Sequence, residues 1–126
     1  MPLNYTINWA EQGKTTPVKF QGFCSSCYAF AGTTVQETMQ SIKYGTEPVR
    51  LSEQEGIDCS ARQQGCVGGR HEWYWEYSND HGSQLYETYP YESKKGECRN
   101  QENKVVASRA DKNSIKRWGY RTMSTE

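Results

Sequence analysis

Cysteine content constrains this chain more than any other feature of its sequence. Five cysteines occur in 126 residues, namely Cys24, Cys27, Cys59, Cys66 and Cys98. An odd number indicates either two disulfides with one free thiol or a metal site, and spacing alone does not choose the pairing. Only 34% of the residues are apolar, so the core is thin, and disulfides would supply stability that burial does not. We therefore expect an oxidising compartment.

The charge balance bears on the class of partner. There are 15 basic and 15 acidic side chains, and the formal net charge is zero. No field of one sign favours nucleic acid or an anionic membrane, and no apolar run approaches the roughly 20 residues that span a bilayer. We expect no cofactor, no nucleic-acid partner and no membrane partner. The sequon at Asn4 is a weak indication of glycosylation.

Apolar spacing predicts a first helix that begins at Cys27. The residues that recur every three or four positions are Cys27, Ala31, Val35, Met39 and Ile42. They predict a helix of roughly 17 residues with Cys27 near its N-terminal end, and Gly45 is a typical C-terminal cap. A second, short helix is predicted where Ser52 and Glu55 form a capping box.

The remainder of the chain is less regular. A third helix is predicted from His71 to about Tyr77, before Asn79 and Gly82, and its four aromatic residues are typical of helix packing. Residues 104–110 weakly predict a strand, and residues 111–126 have no clear period. The chain is thus expected to be helix-rich at its front and loop-rich at its back.

The pair Cys24 and Cys27 admits three interpretations. With Cys59 and Cys66 they could hold zinc, although six residues between the second pair are more than a zinc knuckle uses. A thioredoxin-like redox pair would need a strand directly before it, which the sequence does not predict. The third interpretation is a nucleophile at a helix N-terminus, where backbone N–H groups and the helix dipole favour a thiolate.

Several ordered motifs favour the third interpretation. They are Pro17-Val18-Lys19, QGFCSSCYAF at 21–30, LSEQEGIDCS at 51–60, GCVGG at 65–69, YPY at 89–91 and GEC at 96–98. In this order the chain resembles the papain-like cysteine peptidases, including the cathepsins, over about residues 8–98. The resemblance implies an α+β fold, of which residues 1–126 are a single partial domain. The helical left domain would cover about 8–110, and the tail 111–126 would lead towards a right β-domain.

The resemblance also implies roles for individual residues. Cys27 would be the catalytic nucleophile and Gln21 the side-chain donor to the oxyanion. Disulfides would join Cys24 to Cys66 and Cys59 to Cys98. The substrate-binding residues would be Gly68, Gly69, Arg70 and His71, with the glycines facing the substrate backbone and a histidine in the second subsite favouring polar or acidic groups.

Four positions depart from the family pattern. Ser25 stands where the family has glycine, Tyr28 replaces tryptophan, Gly56 stands where leucine packs, and Tyr74 replaces a small residue. A tyrosine ring at position 74 could fill the space that Gly56 leaves.

The family's catalytic histidine and asparagine lie about 130–150 residues beyond the cysteine, outside these 126 residues. We therefore expect the chain alone to be inactive and a peptide or protein substrate to be cleaved only with a right domain. Possible partners are a right-domain chain, a second copy or an inhibitor-like protein. The expected location is secreted, lysosomal or vacuolar. The alternative is an inactive homologue that acts as a binding or structural module.

Overall fold

Three helices dominate the computed structural model, which describes residues 5–111. The elements are α1 at Cys27–Tyr44, α2 at Glu53–Cys59, α3 at His71–His81 and a single 3-10 turn at Tyr86–Thr88. Helix α1 packs against both α2 and α3, so it is the central element of the fold. None of these helices in residues 5–111 is long and apolar enough to cross a membrane. Asn4 lies outside the described residues.

Two of the predicted helix caps are confirmed, and one half of the capping box is wrong. Gly45 ends α1 in the left-handed region with φ of 63°. Ser52 Oγ accepts a hydrogen bond from the backbone N–H of Glu55 at 3.0 Å. The Glu55 carboxylate does not return to Ser52, because it accepts the backbone N–H of Gln84 at 2.8 Å and the ammonium of Lys104 at 2.9 Å. A partner 49 residues away has replaced the local one.

The strand expected over residues 104–110 is wrong. Within the described residues this segment forms one isolated antiparallel bridge, Ser108 with Ser83, and the N–H groups of Ala107 and Ser108 both donate to the Ser83 carbonyl. A second isolated bridge joins Leu51 to Leu85. The described part of the chain, residues 5–111, is therefore mainly helical, which confirms the expected left domain; the β part of the α+β class was expected in a right domain that these residues do not include.

Helix α1 presents its apolar stripe outward. Its predicted stripe residues Ala31, Val35 and Met39 are exposed, the last two at 47% and 59%. The buried residues of α1 are mostly small or polar apart from the tyrosine, and are Tyr28, Ala29, Gly32, Thr33, Gln36, Glu37 and Ser41. Hydrogen bonds therefore hold the helix in place as much as apolar burial does, and its more apolar face is exposed in the described structure.

A buried ion cluster joins α1 to the loop before it and to α2. The ammonium of Lys19 lies 2.7 Å from the Glu37 carboxylate and 3.2 Å from that of Glu53. Thr33 Oγ1 donates to Glu53 at 2.7 Å, and the backbone N–H of Leu51 donates to Glu37 at 2.7 Å. Because both carboxylates are fully buried, these contacts are what make their burial tolerable.

The Tyr74 ring fills the centre of the three-helix contact. It is fully buried, and it lies between Gly32 of α1 and Gly56 of α2. A Cβ added at Gly32 would lie 2.9 Å from Tyr74 Cδ1, and one at Gly56 would lie 2.7 Å from Cε2. The tyrosine therefore occupies the space that both glycines leave empty, as the sequence suggested for Gly56.

Candidate active site

Cys27 is the first residue of α1 and carries the free thiol of the chain. Its side chain is exposed. The preceding residue, Ser26, is the N-cap but gives no side-chain cap to the helix. Because the first N–H groups of a helix have no partner within it, Cys27 Sγ is placed beside unpaired backbone donors and the positive end of the helix dipole.

The other four cysteines are paired. Disulfides join Cys24 to Cys66 and Cys59 to Cys98, the pairings that the resemblance implied. Cysteines in disulfides are not thiolate ligands, so the zinc interpretation fails, and Cys24 is not a redox partner of Cys27. The first disulfide, together with a 3.0 Å hydrogen bond from Ser25 N–H to the Cys66 carbonyl, fixes the loop that precedes the thiol.

Tyr91 holds the same loop from the other side. Its hydroxyl donates to the carbonyl of Gln21 and lies 2.9 Å from Ser26 Oγ. Its ring meets that of Phe30 edge-on, with centroids 4.9 Å apart. Tyr91 is thus a positioning residue that sequence reasoning noted only as part of a motif.

Gln21 belongs to this fixed loop. Its side-chain amide donates to the Cys24 carbonyl at 2.8 Å, which sets the direction of the amide group. A primary amide has two N–H donors, so this bond occupies one of them. Gln21 lines a cavity of about 460 Å³ that also touches Ala31, the residue one turn along α1 from Cys27.

The glycines of the GCVGG motif form a loop that Gln63 braces. The Gln63 amide donates to the Arg70 carbonyl at 2.9 Å and accepts the Arg70 N–H at 2.9 Å. A Cβ at Gly69 would lie only 3.0 Å from Gln63 Cδ, so glycine is required by a close approach there. Gly68 has φ of 154° and open space around it.

A pocket of about 340 Å³ opens beside the free thiol. Its lining consists of Cys27, Tyr28, Ala31, Gly69, Arg70, His71 and Glu72. Four of the residues singled out from the sequence therefore meet in one place, while Gly68 and Gln21 lie outside the lining. Sequence reasoning missed Glu72, which follows the predicted pair Arg70–His71 directly and whose carboxylate faces both of them.

The wall of this pocket is uncharged at Tyr28. The Tyr28 hydroxyl donates to the Gly65 carbonyl at 2.5 Å. Burial, helped by the nearby Asp58 carboxylate, raises the pKa of Tyr28 to about 12. The phenol therefore remains neutral at physiological pH and acts as a rigid brace for the loop that carries the glycines.

Comparison of the sequence with known families gives a consistent result. The model of the papain family cysteine proteases matches residues 3–125. Caricain from Carica papaya is 41% identical over 97 residues, which cover 77% of this chain and 28% of caricain. Procathepsin L from Rattus norvegicus is 41% identical over 106 residues, covering 82% of this chain and 31% of that protein.

Solved structures agree with the sequence comparison. The bromelain protease from Ananas comosus, in complex with the E64 inhibitor, superposes with a TM-score of 0.76 at 33% identity, covering 82% of this chain and 47% of bromelain. The Carica candamarcensis cysteine protease CMS1MS2, in complex with E-64, gives 0.71 at 39% identity, covering 74% and 43%. The chain thus spans less than half the length of these relatives.

Proposed function

Because this chain belongs to the papain family of cysteine proteases, we propose that it supplies the nucleophile-bearing half of a cysteine endopeptidase. The observation that carries the proposal is the free, exposed thiol of Cys27 at the start of α1. It opens into a pocket shared with Gly69, Arg70 and His71. Those are the positions that the family resemblance assigns to the nucleophile and to the substrate.

In the proposed reaction the Cys27 thiolate attacks the carbonyl carbon of a peptide bond. The carbonyl oxygen becomes an oxyanion, which the backbone N–H of Cys27 and the second amide N–H of Gln21 stabilise. Collapse of this intermediate expels the amine, which takes a proton from the catalytic acid, and leaves an acyl group on sulfur that water then removes. The main chain at Gly68 and Gly69 holds the substrate backbone, because bare glycine lets it approach closely.

The general base of this reaction is proposed to come from a right domain. A surface for such a partner is present along α1 and the loop before it. Val18 and Phe20 are exposed at 102% and 86%, and Val18 lines the same cavity as Ala31 of α1. Exposed apolar side chains near one another are typical of an interaction site. A right-domain chain seated there would bring its histidine towards Cys27.

The same surface supports a second candidate, a non-catalytic binding module. In that case a second copy or an inhibitor-like protein would cover the apolar surface, and Cys27 would have no catalytic role. The two disulfides fit an oxidising compartment under either candidate, and we propose a secreted, lysosomal or vacuolar location.

The decisive experiment compares peptide hydrolysis by the chain alone with hydrolysis after a right-domain chain is added. We expect no turnover of a fluorogenic dipeptidyl substrate by the chain alone, and turnover with the partner that Cys27→Ala abolishes. Labelling by E-64 should follow the same pattern. Failure of Cys27 to react with E-64 in the assembled pair would favour the binding module.

A further control addresses His71, which lines the same pocket as Cys27. If the chain alone did hydrolyse the substrate, and both Cys27→Ala and His71→Gln abolished that activity, the proposed dependence on a right domain would be wrong and His71 would be the base.

A further inference from the structure

Two basic side chains stand at the mouth of the pocket beside Cys27. Arg70 and His71 both line it, and their side chains are 52% and 46% exposed. They therefore offer polar hydrogens to anything that enters the pocket from solvent. Neither of these two positions is apolar, so the mouth of the pocket is polar, whereas Tyr28 and Ala31 give it an apolar part.

A buried carboxylate orients this basic pair. Glu72 Oε1 lies 3.3 Å from Arg70 Nη1, and Glu72 Oε2 lies 3.2 Å from His71 Nε2. The Glu72 side chain is only 8% exposed, and its Oε2 makes no hydrogen bond within the described structure. A buried carboxylate needs opposite charge or hydrogen-bond donors close by, so Glu72 favours a position of Arg70 and His71 over the pocket.

The neighbouring charges do not reverse this field. Arg62 and Glu76 pair with each other at 2.6 Å and cancel. The guanidinium groups of Arg62 and Arg70 lie 4.8 Å and 5.7 Å from the centroid of the Trp73 ring, whose electron-rich face attracts cations. The Arg70 guanidinium thus faces the solvent at the pocket mouth, and the Glu72 carboxylate is almost covered.

From this arrangement we propose that the pocket selects an acidic side chain, aspartate or glutamate, in the second residue on the N-terminal side of the bond that Cys27 attacks. The proposal rests on the proposed function and names its substrate class. An acidic group would accept hydrogen bonds from Arg70 and His71, for which arginine's planar fork is well suited. Glu72 acts through those two residues and is a positioning residue.

The other classes of side chain fit the pocket less well. A basic side chain would meet the Arg70 guanidinium at the pocket mouth, while the Glu72 side chain in the lining is only 8% exposed. An apolar side chain would remove water from the charged groups without replacing its hydrogen bonds, which costs free energy.

The proposal can be tested on this chain alone, because Cys27 is its free thiol. Iodoacetate and iodoacetamide alkylate thiols in the same way: sulfur displaces iodide, and the thiol proton goes to solvent. The two differ in charge and are nearly equal in size. The ratio of their second-order rate constants, iodoacetate over iodoacetamide, therefore measures how the pocket receives an anion.

We expect Arg70→Gln and His71→Gln each to lower this ratio by about two- to fivefold, the range of a partly exposed charge pair. Arg109→Gln is the matched control. Arg109 is an exposed arginine that donates to the Asn79 carbonyl near the far end of α3, and its loss should leave the ratio unchanged. Circular dichroism and intact disulfides confirm that each variant is folded.

Peptide electrophiles extend the test to a substrate side chain. Cys27 should be alkylated faster by acetyl-Glu-Ala chloromethyl ketone than by the Gln-Ala analogue, and slowest by the Lys-Ala analogue. The preference for glutamate over its uncharged isostere should again be about two- to fivefold, and Arg70→Gln should remove it. Equal rates for the three peptides, a preference for lysine, or a ratio unaffected by Arg70→Gln would overturn the proposal.

These measurements are independent of catalysis. If the acidic preference is found but the chain with a right domain does not hydrolyse peptides, the proposed function fails and the pocket's selectivity stands. If hydrolysis is found without the acidic preference, the selectivity fails and the proposed function stands.

Discussion

The fit of Tyr74 against Gly56 makes a sharp prediction about stability. Replacing a mid-helix glycine by alanine ordinarily stabilises a helix by about 1 kcal/mol. Here the new Cβ would lie 2.7 Å from Tyr74 Cε2, inside van der Waals contact, and the ring is fully buried. Overpacking of this kind costs about 1–3 kcal/mol, so Gly56→Ala should leave the free energy of unfolding unchanged or lower it by up to about 2 kcal/mol.

The sign should reverse once the ring is removed. Tyr74→Ala alone should cost about 3–5 kcal/mol, because it leaves a cavity. In that background Gly56→Ala should stabilise by about 2 kcal/mol, from helix propensity and from the burial of one carbon. The coupling between the two positions is therefore about 2–4 kcal/mol, at or above the upper end of what residues in direct contact show.

Urea unfolding followed by tryptophan fluorescence, with both disulfides intact, measures these differences. Tyr74→Phe is the matched control, because it removes the hydroxyl that lies 3.1 Å from Ser83 Oγ and keeps the ring. In the phenylalanine variant Gly56→Ala should show no reversal of sign. Equal effects of Gly56→Ala in the wild-type and Tyr74→Ala backgrounds would refute the reasoning.

Three further predictions concern buried charge and the second disulfide. Burial alone would raise the pKa of Glu55, but hydrogen bonds from Gln84, Lys104 and Gln101 outweigh it and lower the pKa. The stability that Glu55 contributes is therefore present above its ordinary pKa of 4.5 and is lost as the pH falls through its lower pKa in the folded state. In the Glu55→Gln variant the urea midpoint should fall less on acidification than in the wild type. An unchanged pH profile would contradict this. Lys19→Met removes the cation from the buried carboxylates of Glu37 and Glu53 and should lower the free energy of unfolding by about 3–5 kcal/mol. A loss below about 1 kcal/mol in urea unfolding would show that water reaches the ion cluster. Replacing Cys59 and Cys98 together by serine should cost about 2–4 kcal/mol while leaving the iodoacetamide rate of Cys27 unchanged, and a changed rate would mean that this disulfide also shapes the thiol's surroundings.

The features that could be predicted from the sequence are those that depend on a few neighbouring residues. Gly45 and Ser52 end and begin helices because cap geometry is local, and Cys27 starts α1 where the apolar spacing starts. The place of Arg70 and His71 beside the thiol came from the order of motifs in the family resemblance.

The features that could not be predicted depend on partners far along the chain. The Glu55 carboxylate accepts a hydrogen bond from Lys104, 49 residues away. This contact with α2 helps to explain why residues 104–110 do not form a strand. The exposure of the apolar stripe of α1 could not be predicted, because apolar spacing shows which residues share a helix face but does not show whether that face is buried. Glu72 was missed because its role depends on the side-chain directions of its two neighbours.

The distance along the chain between Cys24 and its partner has a consequence for oxidative folding. The native bond needs Cys66, 42 residues away, whereas the thiol of Cys27 is only three positions from Cys24. Short loops close at lower entropic cost than long ones, so a reduced chain meets the wrong partner first. That bond would consume the very sulfur on which the proposed chemistry depends. A chain that forms this bond reaches the native pairing only through thiol–disulfide exchange that moves Cys24 to Cys66 and releases Cys27, so the yield of reactive thiol measures how well the chain has been refolded.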